Sequence, residues 1–317
     1  MTSVENFLGS LLAGAVGDAL GAPIEFNRIG DIRARYGPSG LTDYAPAFDG
    51  LGSITDDTQM TLFTLEGLIL ARRNGIDPML TVRAAYGRWL QTQQGPETTH
   101  DGWLIDVPEL HSLRAPGNTC LTALRKDANN NSKGCGGVMR VAPCALWSDD
   151  PAEVFALAAG CARLTHGHPS GYLSAGVLAV IVHQVLRGAD VVTATGLARQ
   201  ILVGHQGHEE QTALLDKVAG LGRPTPELIE SELGGGWVGE EALAISLLCA
   251  IHADNLADGL LLAVNHSGDS DSTGAICGNI LGARDGAGAI PSHWLEPLEL
   301  REVIERLGKE GLEALSG

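Results

Sequence analysis

Apolar residues along this chain recur at three- and four-residue intervals far more often than at two. Phe7, Leu8, Leu11, Leu12, Ala15, Val16, Ala19 and Leu20 set the pattern, a spacing that gathers them on one face of an α-helix. Gly9, Gly14 and Gly17 lie among them and let a neighbouring backbone come close. The same period predicts helices near 58–73, 79–92, 119–126, 151–163, 170–187, 190–203, 209–220, 239–253, 255–266, 272–284 and 297–314. Some carry start signals: Asp150-Pro151-Ala152-Glu153 offers an N-cap, a proline at the first helical position and a capping glutamate. Alternating strand patterns are nearly absent. Stretches rich in Gly, Pro, Asn or Thr at 26–56, 93–118, 127–137 and 221–238 read as loops, and none has the character of a linker. With no solenoid period either, the expectation is a single all-α domain over residues 1–317, with several long functional loops.

Composition narrows the function classes. Hydrophobic residues make up 44% and charged ones 19% of the 317 residues, a globular balance. The formal net charge of −17 and the lack of a long Lys/Arg run argue against a nucleic-acid backbone or an anionic membrane as main partner. Six cysteines (120, 135, 144, 161, 249 and 277) are scattered without a Cys-x-x-Cys pair, which suits a reducing, cytoplasmic setting. The apolar start "FLGSLLAGAVGDALGAP" has Glu5 before it instead of a basic residue, and Asp18 near its end, so it reads as a core helix and not a signal peptide. The run from 171 to 186 is short for a membrane span and contains His183 and Gln184.

Two acidic clusters change the picture. "GSITDDTQ" sets Thr55, Asp56, Asp57 and Thr58 before one apolar helix, and "HSGDSDSTG" sets Asp269, Asp271, Ser272 and Thr273 before another. Asp, Ser and Thr are common helix caps, so independent capping is the plainer reading. Against it, paired carboxylates repel, and burial worsens the repulsion by disfavouring the charged form. Gly274, Gly278 and Gly282 lie on one face of the helix after the second cluster, which places that helix, and its acidic start, inside the molecule. Carboxylates with neighbouring hydroxyls are the ligand set of hard divalent cations. If both clusters serve the same ions, they must converge across more than 200 residues of sequence.

Weaker signals accompany these. Glu25 closes "GDALGAPIE" in a loop, where a lone glutamate gains meaning only if the fold brings it to the aspartates. "SKGCGGVMRVAP" offers backbone N–H groups of the kind that receive phosphate oxygens. "LTHGHPSGY" carries His166 and His168, for which hydrogen-bonded packing is the commoner role. Trp237, in "GWVGEEALAIS" with Glu240 and Glu241, is expected to anchor the core rather than wall a pocket.

Taken in order, "GAVGDALGAPIE", "GSITDDTQMTLF", "APGNT", "GCGGVMRVAP", "THGHP", "GGGWVGEEALAIS" and "GDSDSTGAICGNILGA" resemble the ADP-ribosylglycohydrolase family along nearly the whole chain. The resemblance implies an all-α fold and a centre of two divalent cations, Mg²⁺ or Mn²⁺. Thr55, Asp56, Asp57, Asp269, Asp271 and Ser272 would be the ligands, with Asp57 also catalytic and Thr273 capping the helix. Glu25 would be the catalytic group that takes a proton. Gly134, Cys135, Gly136, Gly137 and Val138 would face the diphosphate, and Asn118 and His166 the substrate. Arg140 matches a family position, with a structural role as the alternative. The implied reaction removes ADP-ribose from a modified protein side chain, most simply N-linked arginine, with a cognate ADP-ribosyltransferase as counterpart.

Two departures from the family pattern stand out. Cys135 replaces a frequent Asn, and Ala115 stands where the nitrogenase branch has Asp before its Gly-Asn pair. Serine-linked, base-linked or free ADP-ribose derivatives are the alternative substrates, and nucleic acid enters only as such a modified base. A non-catalytic immunity or structural role is the alternative from another class.

Overall fold

The structure is a computed structural model that describes residues 3–48, 50–94, 100–126 and 130–315. The expected loops at 93–118 and 127–137 thus include 95–99 and 127–129, which lie outside the described residues. In chain order the helices are α1 (Val4–Gly21), α2 (Ile29–Tyr36), α3 (Asp56–Asn74), α4 (Pro78–Gln93) and α5 (Asn118–Lys126). Then follow α6 (Pro151–Arg163), α7 (Pro169–Val185), α8 (Val191–Leu202), α9 (Glu209–Val218) and α10 (Pro226–Glu232). The last are α11 (Gly239–His252), α12 (Leu256–Val264), α13 (Ser270–Asp285), α14 (Ser292–Leu295) and α15 (Arg301–Leu315). The described residues contain isolated β-bridges but no strands, so the fold is all-α.

Helices α1 and α13 form the central pair. Their backbones touch because glycines line the seam: a Cβ on Gly274, Gly278 or Gly282 would overlap the carbonyl oxygen of Gly17, Ala13 or Gly9 in turn. Paired hydrogen bonds fix the register, Ser10 Oγ donating to Asn279 O (2.9 Å) and Asn279 Nδ2 donating to Ser10 O (2.8 Å). The apolar N-terminal stretch is therefore a core helix, with Phe7, Val16 and Leu20 fully buried. We expect Gly278→Ala to destabilise the fold by about 1–3 kcal/mol or more, because a rigid backbone would have to move. Urea denaturation checks this, and an unchanged midpoint would mean the helices are not in contact there.

Two helices lie where loops were expected. In α2 only Ile32 is buried, and in α10 only Ile229. An element with one core residue gives no repeat to detect, and its polar majority reads as loop. The C-terminal helix starts at Arg301, later than the expected 297, with the short α14 ahead of it. No helix among the described residues is long and apolar enough to cross a membrane. All six cysteines are unpaired.

Candidate active site

The N-termini of α3 and α13 open into one cavity of about 330 Å³. Its walls include Asp56 and Asp57 from the first acidic cluster and Asp269, Asp271 and Ser272 from the second, together with Glu25. The four aspartates are each at most 5% exposed. One oxygen each from Glu25, Asp269 and Asp271 lies within 4.8 Å of the others. The two clusters, far apart in sequence, thus meet.

Local structure explains how such a concentration is held. Thr55 caps α3, its hydroxyl accepting from Asp57 N at 3.2 Å. Asp56 N donates to Arg114 O (2.9 Å), and Asp56 Oδ2 accepts from Gly117 N at 3.3 Å. On the other side Asp269 N donates to Gly235 O (2.8 Å), while the Asp269 side chain makes no cap bond of its own. The capping account thus covers Thr55 but leaves the aspartates unexplained. Thr273 does not cap α13 as expected. It sits within the first turn, its hydroxyl 2.8 Å from the carbonyls of Ala263 and Asp269 and 2.9 Å from His266 Nε2.

Sequence reasoning missed Asp18. Fully buried in α1, it accepts from Thr55 N (3.0 Å), from Thr58 N (3.1 Å) and from the Thr58 hydroxyl, and so fixes the start of α3. The signal was available: an aspartate two residues before Leu20 interrupts an otherwise apolar face.

Electrostatics oppose the arrangement as it stands. Burial first, then neighbouring carboxylates led by Asp271, raise the pKa of Asp57 well above the usual carboxylate range. Burial likewise raises Asp56, Asp269 and Asp271 and lifts Asp18 to about 7. Glu25 is pushed up to about 10, by burial and then by Asp271, Asp269, Asp56 and Asp18. Asp57 Oδ2 and Asp271 Oδ1 are buried without any hydrogen-bond partner. Orphaned carboxylate oxygens in an oxygen-rich, like-charged pocket fit hard divalent cations. Ser272 supplies a further oxygen at the wall; Thr55 is buried just behind it and is not part of the lining.

The Gly-rich segment divides in two. Gly134, Cys135 and Gly136 line the cavity, whereas Gly137 and Val138 are buried behind it. Gly134 N donates to Ser132 Oγ (3.2 Å), Cys135 N to Trp237 O (3.2 Å) and Val138 N to Cys135 O (2.8 Å). The last bond closes a 3₁₀ turn over Cys135–Gly137, which sets Gly136 on the cavity wall and Gly137 beneath it. The Cys135 thiol donates to Asp269 Oδ2 at 2.7 Å, so the replacement for the family Asn faces the carboxylates.

His166 also lines the cavity, almost wholly buried, and its pKa is lowered to about 3 by burial and by Arg140. Arg140 Nη2 donates to Thr165 Oγ1 (2.6 Å), and that hydroxyl lies 2.8 Å from His166 Nδ1. The Thr165 hydroxyl thus holds neutral His166 through Nδ1. Arg140 itself is buried over the Tyr86 ring and plays a supporting part. Asn118 is exposed on the cavity wall at the start of α5.

Trp237 overturns its expected place in the core. It is 42% exposed, lines the cavity and stacks on Phe26. The cause is its loop: Gly234 and Gly236 both turn the chain at positive φ, and Glu241 Oε2 clamps the amides of Gly235 and Gly236 at 3.2 Å. Glu240 instead pairs with Lys133.

Fold and site together define an all-helical protein with a buried oxygen-ligand pocket at the meeting of two helix N-termini. The chain belongs to the ADP-ribosylglycohydrolase family, whose sequence profile matches residues 1–316. It is 27% identical to the ADP-ribosyl-[dinitrogen reductase] glycohydrolase of Rhodospirillum rubrum, over 98% of this chain and 95% of that one. It is 25% identical to the ADP-ribosylarginine hydrolase Tri1 of Serratia proteamaculans (strain 568), over 97% of this chain and 79% of the relative. A solved structure described as an ADP-ribosylglycohydrolase-related protein complex superposes with a TM-score of 0.75 at 27% identity, over 99% of both chains. The family is one of hydrolases acting on ADP-ribosylated substrates.

Proposed function

We propose that this chain cleaves the N-glycosidic bond between ribose C1″ and an arginine guanidinium of an ADP-ribosylated protein, at a centre of two Mg²⁺ or Mn²⁺ ions. The observation that carries this reading is the convergence of five acidic side chains on one cavity, with two orphaned carboxylate oxygens among them. The arginine linkage has its support in the relative named an ADP-ribosylarginine hydrolase. Thr55, Asp56 and Asp57 on one side and Asp269, Asp271 and Ser272 on the other would hold the ions. Such a pair supplies a template for adjacent ribose hydroxyls and lowers the pKa of water.

The chain's own groups do the rest. Gly136 and neutral His166, both on the cavity wall, are placed to receive diphosphate or ribose oxygens. Water adds at C1″ as the bond to the guanidinium nitrogen breaks, through an oxocarbenium-like transition state. One proton of that water goes to Glu25, while the guanidinium departs with the bonding pair as neutral guanidine and regains its charge by taking the proton from Glu25 or from solvent. A base must be ionised, and Glu25 in this ring of carboxylates is not; its role therefore requires the neighbouring charge to be neutralised. A cytoplasmic setting suits the unpaired cysteines, and a cognate ADP-ribosyltransferase would supply the substrate.

Hydrolysis of defined arginine-, serine- and base-linked ADP-ribose substrates, with Mg²⁺, Mn²⁺ or chelator, tests the proposal. Metal-dependent turnover of the arginine linkage is expected. Preference for serine or a base, or turnover in chelator, would contradict it.

A further inference from the structure

Two exposed aromatic rings have no part in the scheme above. Phe26 follows Glu25 directly and is 72% exposed, and Trp237 is 42% exposed. Their rings stack with centroids 5.1 Å apart and planes 20° from parallel, and both line the carboxylate cavity. Leaving two large rings in water forgoes the stabilisation that burial would give. Phe26 also holds a positive φ of 66°, a region where a bulky residue is strained. Neither ring belongs to the hydrophobic core. The backbone beneath Trp237 is nonetheless fixed, its carbonyl bonded by Cys135 N at 3.2 Å and its loop tied to Asp269 N through Gly235 O at 2.8 Å. The pair stands at a set place beside the acidic cluster.

We infer that Phe26 and Trp237 form the platform on which the guanidinium of the acceptor arginine lies, and that they set the enzyme's preference among acceptors. The inference rests on the arginine-linkage reading. A guanidinium is planar, permanently charged and weakly hydrated, and it stacks on aromatic faces. Among the described residues no lysine or arginine lines the walls, so no side-chain cation of the cavity competes for the rings. A serine hydroxyl brings neither charge nor plane, so the platform adds nothing for that acceptor. Because Phe26 adjoins Glu25 in the chain, a guanidinium stacked there leaves beside the group proposed to move the proton.

The test compares wild type with Trp237→Leu, Phe26→Leu and Trp237→Phe in saturating Mg²⁺. Steady-state kinetics use an arginine-linked and a serine-linked ADP-ribosyl peptide, and calorimetry measures ADP-ribose binding. The two leucine variants should raise KM for the arginine-linked peptide about 2- to 30-fold, the range of a cation–π contact. Trp237→Phe, which keeps an aromatic face, should recover most of that loss, and ADP-ribose affinity should hold throughout. Equal weakening for ADP-ribose would overturn the inference, since the rings would then serve the ADP-ribose half. A fall in kcat on both peptides with KM unchanged would also overturn it, reducing the rings to a support for Glu25, and so would no change at all. A wild-type enzyme that cleaves the serine but not the arginine linkage would contradict the linkage reading itself, before any variant is made.

Discussion

Asp57→Asn and Asp271→Asn should each lower turnover by at least about 100-fold, since loss of even an outer partner of a metal ligand commonly costs 10- to 100-fold. In chelator the same variants should melt at or above the wild-type temperature. Each removes one charge from a buried cluster in which carboxylates raise one another's pKa. Added Mg²⁺ or Mn²⁺ should reverse the order, stabilising wild type most. The pH dependence follows from the same shifts. A carboxyl whose folded-state pKa is raised favours the fold below its unfolded value near 3.9 and loses that contribution as pH rises through the folded value. The advantage of Asp57→Asn in chelator should therefore be plain at neutral pH and fade below about pH 4. Thermal melts in chelator and in metal, at both pH values, check this. Active variants, or a wild type that gains nothing from metal, would mean that the carboxylates are no more than helix caps.

Glu25→Gln should reduce kcat by roughly 10²- to 10⁴-fold, the usual contribution of a positioned acid–base group, with little change in ADP-ribose affinity. Glutamine keeps the size and a hydrogen-bonding carbonyl but takes up no proton. In the proposed function the diphosphate is received elsewhere, at Gly136 and His166. Single-turnover hydrolysis beside calorimetry separates the two quantities. Equal losses in rate and affinity would make Glu25 a substrate anchor or metal ligand, a role its place within 4.8 Å of Asp269 and Asp271 oxygens also allows. No loss in either would leave it a solvated loop residue.

α1, α7 and α11 were legible as long apolar runs because they are buried on nearly every side, and α15 because burial on one face imposes a 3.6-residue period. The glycine stripe of α13 even showed where its acidic start would lie. α2 and α10, each with a single buried residue, carried no such period. The acidic clusters were legible as chemistry because paired carboxylates before a buried helix demand a counter-charge. Asp18 was harder: one polar residue in an apolar helix tells of a hydrogen-bond partner but not which one, and its partners, Thr55 and Thr58, come from a different helix start. The division of the Gly-rich loop between cavity wall and core depends on how the fold packs its 3₁₀ turn. Trp237 went wrong because aromatic size argues for burial, whereas two positive-φ glycines in its loop aim it at the cavity.

In the function proposed above, the two acidic clusters share two divalent cations. Crystals grown or soaked with Mn²⁺ and measured for anomalous scattering test it most directly. The expected result is two peaks about 3.5–4 Å apart, the spacing of two-metal hydrolytic sites, between Asp56 and Asp57 on one side and Asp269 and Asp271 on the other. A fully loaded crystal with peaks elsewhere, or with the cavity showing none while the protein turns over substrate, would contradict it.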